Sequence, residues 1–160
     1  MERAVISLGS NLLDREKYLS DARILLEKQV GKLVCASRIY ETPSWGFASG
    51  NFLNQVVVME TLLEPSDLLL ATQQIERQLG RTQKTQHDAA GKPIYHDRTI
   101  DIDILLYGSL CFESPELTLP HPRIAERAFV LEPLAELFEN QIVSPFTASF
   151  KAMLEKLKEQ

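Results

Sequence analysis

The feature that most constrains the fold is one stretch, Arg98–Asp103, in which acidic and aliphatic residues alternate before the apolar run Ile104 to Tyr107. An aliphatic run of this kind predicts a buried or half-buried strand. Asp is disfavoured in strands, yet Asp101 and Asp103 occur here two positions apart. Because side chains alternate between the two faces of a strand, both carboxylates should point to one face and the neighbouring isoleucines into a core.

Two carboxylates on one sheet face repel each other unless a positive group lies between them. A divalent cation is the simplest such group, and hard oxygen ligands without nearby Cys or clustered His favour magnesium over zinc. The alternative is a pair of aspartates on a solvated strand face near a loop. The spacing of Asp101 and Asp103 leaves both interpretations open.

Length and charge narrow the class of protein. The 160 residues fit one domain, residues 1–160, and the net charge of -5 argues against general nucleic-acid binding, which needs a basic face. Cys35 and Cys111 suggest neither a disulfide framework nor a zinc site, and no apolar run is long enough to span a membrane or form a signal peptide. We expect a cytoplasmic monomer that binds small molecules and neither membranes nor nucleic acid.

The periodicity predicts the element order strand, helix, strand, strand, helix, strand, which is the split βαβ or ferredoxin-like pattern. The fold class expected is therefore α+β: a ferredoxin-like βαββαβ sheet with packed helices in three α/β/α layers, plus an extra C-terminal helix. The first helix should be capped by Ser10 or Asn11. The predicted strands are Ala4–Leu8, Leu33–Tyr40, Phe52–Leu62 and a last strand at Ala128–Phe138 that breaks into a short helix at Pro133. Helices are predicted to begin at Pro65 and at Ser144-Pro145, and Cys111–Leu119 should form a small hairpin or an extended excursion around Pro115.

Several polar or aromatic residues could carry chemistry, although each also has a plain structural explanation. Glu76 lies on the apolar stripe of its helix, so it is either buried with a partner or a surface residue at the edge of the stripe. Trp45 lies in a Pro/Gly-rich loop, where it could stack on a ring or anchor the loop in the core. His121 lies between two prolines and is either a ligand-binding group or a turn residue. The segment Arg81–Asp97 predicts a long loop of the kind that often forms lids.

These segments together resemble a known family. The matching pieces, in order, are Leu8–Leu12, Ser37–Pro43 with Gly46, Phe52–Gln55, Gln74–Glu76, Leu79–Arg81, Arg98–Leu105, and Leu119–Arg123 with Arg127 and Phe129. The combination of Arg-x-x-Asp-x-Asp with Pro-His-Pro-Arg is highly specific. The chain resembles the 6-hydroxymethyl-7,8-dihydropterin pyrophosphokinase family of folate biosynthesis over nearly its whole length, apart from the last helix.

The resemblance implies transfer of the β,γ-pyrophosphoryl group of ATP to the pterin hydroxymethyl oxygen, with release of AMP. It implies that Asp101 and Asp103 hold two Mg²⁺ ions that bridge the triphosphate. Catalytic roles are implied for Arg98, Arg127 and His121, which would bind phosphates. The residues implied around ATP are Gln73, Glu76, Arg81, Lys84, Tyr95, Ile104 and Thr118. Those implied around the pterin are Thr42, Pro43, Trp45, Phe52, Asn54 and Phe129, with the ring stacked between Phe52 and Phe129.

The chain departs from the family pattern in the predicted lid. Gln83 stands where the family usually has an arginine, and the following Lys84 supplies a point charge rather than a bidentate fork. Tyr95 stands where the family often has Trp, and His87–Lys92 is an expected insertion. We expect the lid to close over ATP before the pterin site is complete.

Two other functions remain as alternatives. A metal-dependent phosphohydrolase would use the same aspartates with water as nucleophile and would release ADP or phosphate without a pterin. A non-enzymatic ferredoxin-like ligand-binding module would keep its ligand affinity when Asp101 and Asp103 are changed to Asn.

Overall fold

The computed structural model describes residues 1–12, 14–43, 51–80 and 99–160, together with two short strands between residues 81 and 98. The first half contains β1 (Glu2–Ser10), α1 (Arg15–Gln29), β2 (Gly31–Ala36), β3 (Tyr40–Thr42), β4 (Phe52–Thr61) and α2 (Pro65–Gln78). The second half contains β5 (Gln86–His87), β6 (Pro93–Ile94), β7 (Asp101–Tyr107), β8 (Phe112–Glu113), β9 (Thr118–Leu119), the 3-10 helix Ile124–Glu126, α3 (Ala128–Phe138) and α4 (Phe150–Lys158). None of the helices in these ranges is long and apolar enough to cross a membrane.

The main sheet has the strand order β2-β4-β1-β7, with β3 also paired to β4. Every pairing in it is antiparallel. The helix α1 connects β1 to β2 across β4, and α2 lies on the connection from β4 to β7 across β1. This is the predicted ferredoxin-like arrangement, and the α+β class is confirmed.

Two apolar clusters cover the two faces of this sheet. The first packs α1 and α2 against alternate residues of the strands, such as Ile6 and Val57, and the second packs α3 and α4 against their neighbours, such as Val5 and Val56. Strand alternation sends successive side chains of β1 and β4 to opposite clusters. The result is the predicted three-layer α/β/α arrangement, in which the C-terminal helix forms part of one outer layer.

Two local predictions were wrong at the start of the chain. The helix α1 is capped by Asp14, whose Oδ1 accepts a hydrogen bond from the backbone N–H of Lys17 at 3.2 Å, because β1 continues to Ser10. The predicted strand Leu33–Tyr40 is divided between β2 and β3. The break falls at Ser37, whose hydroxyl accepts the N–H of Val56 at 3.0 Å and so replaces a ladder partner.

Two predictions also failed near the C-terminus. Residues Ala128–Phe138 form one helix, with Pro133 inside it, rather than a strand that breaks at the proline. A short apolar run does not distinguish a buried strand from a buried helix, since both are apolar throughout. The final helix begins at Phe150, where the Ser149 hydroxyl accepts the N–H of Ala152, and not at Pro145.

Candidate active site

Three strands bring their polar residues into one row across the sheet. Gly9 of β1 pairs with Asp101 of β7 on one side and with Asn54 of β4 on the other. Paired residues point to the same sheet face, and neighbouring strands lie about 4.8 Å apart, so the backbones of Asp101 and Asn54 are roughly 10 Å apart. We call these three residues the site row. It faces the α3/α4 side, because Val56, two residues after Asn54, belongs to that cluster.

Asp103 extends the acidic end of the row along β7, where it pairs with Ser7. Asp101 and Asp103 are both half-buried, whereas Ile102 and Ile104 between and after them are buried in the cluster on the opposite face. The structure therefore confirms the alternation predicted from the sequence. Their spacing of two residues along β7 places both carboxylates on one sheet face, and half-burial leaves them accessible to a ligand.

Glu76 secures the backbone between these two aspartates. Its carboxylate, on α2, accepts a hydrogen bond from the N–H of Ile102 at 2.9 Å, and the residue is 7% exposed. In the described part of the sheet β7 is an edge strand, so this N–H has no partner strand on that side. Of the two interpretations of Glu76, burial with a partner is correct. Glu76 fixes the strand that carries both aspartates.

The donor set at Asp101 and Asp103 fits a magnesium ion better than a metal held entirely by protein. No group of three or more His, Cys, Asp and Glu side chains in the described ranges could enclose a metal. Magnesium is commonly bound through one or two carboxylates, with water and substrate phosphates completing its shell. Two half-buried carboxylates on one strand face are suited to that mode of binding.

His121 and Arg127 lie on the chain that follows β9, beside the acidic end of the row. The backbone N–H of His121 donates to the carbonyl of Leu105 in β7 at 2.9 Å, which ties this segment to the strand of the aspartates. Burial lowers the pKa of His121 below its ordinary value, the positive charges of Arg127 and Arg123 lower it further, and Asp101 opposes them. His121, Asp101 and Arg127 therefore share one electrostatic environment.

The His121 ring has a defined tautomer. Its Nδ1 accepts the backbone N–H of Arg123 at 3.1 Å, so in the neutral ring the proton is on Nε2. Arg127 places its guanidinium carbon 5.5 Å from the centre of the Phe129 ring. The arrangement offers a ring N–H donor in the electrostatic environment of Asp101 and a cation over an aromatic ring, and both are groups that bind anionic phosphates.

The other end of the row carries polar and aromatic groups. Asn54 is buried and donates from its side-chain amide to the Thr42 hydroxyl at 2.6 Å. Thr42 pairs with Phe52, and Phe52 is half-buried beside Asn54 on the same face. A short, oriented amide–hydroxyl pair next to an aromatic ring is suited to reading the polar edge of a flat heterocycle.

The remaining predicted residues fall into two groups. Gln73 and Thr118 are half-buried, Pro43 is exposed, and the side chain of Ile104 is buried in the core, so only its backbone can meet a ligand. Ile104 lies two residues after Ile102 and should direct its backbone groups to the same strand edge. Five predicted residues lie outside the described residues: Arg81, Lys84, Tyr95, Arg98 and Trp45. The lid predictions, including Gln83 and the expected insertion, lie largely there as well.

Sequence reasoning missed two features of this region. Gly9 was predicted to begin a turn after a strand that ended at Leu8, whereas it lies inside β1, where a glycine often marks close approach of another group. Glu136 was not among the predicted site residues, because its hydrogen bonds with Arg38 and Tyr40 join positions that are distant along the chain.

Comparison with known proteins identifies the family of this chain. Residues 5–139 match the family model described as 7,8-dihydro-6-hydroxymethylpterin-pyrophosphokinase (HPPK). A 2-amino-4-hydroxy-6-hydroxymethyldihydropteridine pyrophosphokinase from Porphyromonas gingivalis is 51% identical over 134 residues, which are 82% of this chain and 88% of that protein. The protein of the same name from Bacillus subtilis is 45% identical over 136 residues, 84% of this chain and 77% of that one.

Solved structures show the same fold at low sequence identity. A crystal structure of HPPK-DHPS in complex with substrates superposes with a TM-score of 0.73 at 17% identity, covering 99% of this chain and 44% of that one. A Plasmodium falciparum HPPK-DHPS triple mutant gives a TM-score of 0.75 at 15% identity over 97% of this chain and 43% of that one. This chain thus spans less than half of those longer proteins. With the family match over residues 5–139 and these identities, the chain belongs to the 6-hydroxymethyl-7,8-dihydropterin pyrophosphokinase family.

Proposed function

We propose that this chain, acting as a single domain, is a 2-amino-4-hydroxy-6-hydroxymethyldihydropteridine diphosphokinase that uses ATP and releases AMP. The observation that carries the proposal is the site row, which joins an acidic end at Asp101 to a polar and aromatic end at Asn54 within about 10 Å. Family membership supports the choice of substrates, since the named relatives carry the same activity in their names.

In the proposed reaction the pterin hydroxymethyl oxygen attacks the β-phosphorus of ATP. A bond forms between that oxygen and the β-phosphorus, the bond from the β-phosphorus to the oxygen bridging the α- and β-phosphates breaks, and AMP leaves with that oxygen. The hydroxyl proton is released. No general base is assigned, because positioning and electrostatic stabilisation account for much of catalysis in phosphoryl transfer.

We assign the residues along the site row to the metal ions, the phosphates, the nucleotide and the pterin. Asp101 and Asp103 would hold two Mg²⁺ ions, which when bound neutralise phosphate charge and align the reacting oxygens. His121 and Arg127 would bind the phosphates, together with Arg98, Arg81 and Lys84. The nucleotide would lie near Gln73, Glu76, Thr118, Tyr95 and the backbone of Ile104. The pterin would lie between Phe52 and Phe129, in a space we call the pterin slot, with Thr42, Asn54, Pro43 and Trp45 at its edge.

The test is AMP formation from ATP and magnesium, with and without 6-hydroxymethyl-7,8-dihydropterin. The wild type should release AMP only with the pterin, and Asp101→Asn should lower the rate by about a hundredfold or more. Asp67→Asn is the matched control, because this exposed carboxylate lies nine residues before Glu76 on α2, roughly 14 Å along the helix.

Each other outcome identifies a different function. Release of ADP or phosphate that does not depend on the pterin would favour the phosphohydrolase. Ligand binding that survives both Asp101→Asn and Asp103→Asn, without turnover in the wild type, would favour a binding module.

A further inference from the structure

Glu136 on α3 collects hydrogen bonds from the segment that leads into β3. The backbone N–H of Arg38 donates to both of its carboxylate oxygens, at 3.2 and 3.1 Å. The Arg38 Nε–H donates to one of them at 3.3 Å, and the Tyr40 hydroxyl donates to the same oxygen at 2.6 Å. One carboxylate therefore binds a main-chain donor and two side-chain donors from a single short segment.

The protonation states favour these contacts. Burial raises the pKa of the Tyr40 hydroxyl, and its hydrogen bond to Glu136 raises it further, so the hydroxyl remains a donor at neutral pH. Burial opposes ionisation of Glu136, but hydrogen bonds from Tyr40 and Arg38 prevail and lower the pKa of this carboxyl. The Arg38 guanidinium also lies 5.4 Å from the centre of the Tyr40 ring. Hydrogen bonds to an ionised acceptor are stronger than neutral ones and fix geometry more closely.

Glu136, Arg38 and Tyr40 form a cluster that lies between the two sides of the proposed pterin slot. Glu136 lies seven residues after Phe129 on α3, which is close to two full turns, so both residues lie on the same side of the helix. Tyr40 pairs with Asn54 in the sheet, and Thr42, two residues later, pairs with Phe52. The cluster thus links the helix that carries one wall of the slot to the strands that carry the other.

We propose that Glu136 is a positioning residue for the pterin, whose carboxylate fixes α3 and Phe129 against β3 and β4 without touching the substrate. This inference rests on the proposed function and deepens it. A stacking slot requires two aromatic walls at a fixed separation, and a displacement of about 1 Å can lower activity by up to a hundredfold. Because the cluster lies on the pterin side of the row, its loss should weaken pterin binding and leave the ATP side unchanged.

Selectivity for one ligand distinguishes positioning from a role in stability. The Arg38 side chain is 78% exposed in its ion pair with Glu136, and exposed pairs of this kind contribute little to folding. The Glu136 side chain is only 28% exposed and its carboxyl pKa is lowered, so a variant should fold but lose some stability. The positioning role should be visible as a change in the pterin constants that the ATP constants do not share.

The experiment compares Glu136→Ala, Glu136→Gln and Tyr40→Phe with the wild type and with the control Glu132→Gln. Glu132 lies one turn earlier on α3 and makes none of these hydrogen bonds. The measurements are KM for the pterin and for ATP, the pterin Kd by calorimetry with magnesium and a non-hydrolysable ATP analogue, and the unfolding temperature. We expect Glu136→Ala to raise the pterin KM and Kd about tenfold, with smaller increases for Glu136→Gln and Tyr40→Phe. The ATP KM and the control should match the wild type, and the Glu136 variants should unfold at a somewhat lower temperature while they remain folded under the assay conditions.

The possible outcomes separate this inference from the function on which it rests. Wild-type pterin constants in Glu136→Ala would overturn the positioning role while leaving the pyrophosphokinase function intact. Equal losses for ATP and pterin would also overturn it, because they would indicate general loosening of the domain. A wild type that binds pterin but forms no AMP would overturn the proposed function, and the calorimetric comparison would still test Glu136.

Discussion

Gly9 and Asn54 are direct partners in the sheet, and a Cβ atom on Gly9 would lie 3.2 Å from the Asn54 side-chain oxygen. The same Cβ would lie 3.7 Å from the Phe52 ring. The absence of a side chain at this position therefore leaves room for the Asn54 amide and the Phe52 ring in the middle of the site row. In the proposed function, a pterin bound at Asn54 would reach toward Asp101 across this space.

The first prediction concerns Gly9→Ala. The added methyl group should displace the Asn54 amide and raise the pterin KM, while the KM for ATP changes little. Stability should change little, since the advantage of Ala over Gly inside a strand, roughly 0.5–1 kcal/mol, is opposed by displacement of the buried Asn54 amide. Steady-state kinetics with each substrate varied, together with urea unfolding, would check this.

Gly31→Ala provides the contrast to Gly9→Ala. A Cβ at Gly31 would overlap the carbonyl oxygen of Glu60, which is backbone and cannot move aside. That variant should lose stability with no selective effect on the pterin. If Gly9→Ala behaved in the same way, Gly9 would serve packing rather than the site.

The second prediction concerns the bond from Glu76 to the strand of the aspartates. Glu76→Ala leaves the buried N–H of Ile102 without this acceptor, which should cost about 1–3 kcal/mol of unfolding free energy. Because Ile102 lies between Asp101 and Asp103, AMP formation should fall as well. Glu76→Gln retains an acceptor oxygen and should retain most of the stability.

Urea unfolding and the AMP assay would measure both effects of the Glu76 variants. Arg77→Ala, at the exposed neighbouring position on α2, is the control. Wild-type stability and activity in Glu76→Ala would show that the edge of β7 does not need this carboxylate.

The third prediction is the pH dependence of stability through His121. Its pKa in the folded protein is lowered, mainly by burial and then by Arg127 and Arg123, so below about pH 6.5 the unfolded chain binds more protons. Stability of the ligand-free protein should therefore fall as the pH decreases from 7 through this range. Well above pH 6.5 the ring is neutral in both the folded and the unfolded chain, so His121 makes no contribution to the pH dependence of the unfolding free energy there.

Urea unfolding of the wild type and of His121→Asn at pH 7.5 and 5.5 would measure the contribution of His121. The variant should lose less stability between the two pH values than the wild type. Direct titration of the ring by NMR should give a midpoint below the ordinary histidine value, and a midpoint above it would contradict the prediction.

The fourth prediction concerns the C-terminal segment, which lies beyond the family match at residues 5–139. Phe150 of α4 is 1% exposed, with ring centres 5.6 Å from Phe138 and 5.4 Å from Phe146 in edge-to-face contact. Phe150→Ala should destabilise the protein by about 3–5 kcal/mol, as for other buried aromatic residues. Thermal unfolding would measure this loss. Leu62→Ala, at a residue that is 77% exposed, should leave the unfolding temperature nearly unchanged.

Much of the fold could be predicted from local sequence patterns, because strand alternation and element order depend on neighbouring residues. The alternation of Asp101 and Asp103 with buried isoleucines followed from strand geometry alone, and the element order was sufficient for the ferredoxin-like sheet. The helix at Ala128–Phe138 could not be predicted in that way. Its apolar residues are covered on several sides by the sheet, α4 and the 3-10 helix, so burial removed the periodic signal that distinguishes helix from strand.

The sequence by itself determined the chemistry available to this protein: two carboxylates on one strand face, a histidine between prolines, and the motifs that mark the family. Only the tertiary structure decided which residues meet. The pairing of Gly9 with both Asp101 and Asn54, and the contacts of Glu76 with Ile102 and of Glu136 with Tyr40, join groups that are distant along the chain. Such contacts depend on strand register and helix packing, which result from burial of the whole core and leave no local signature in the sequence.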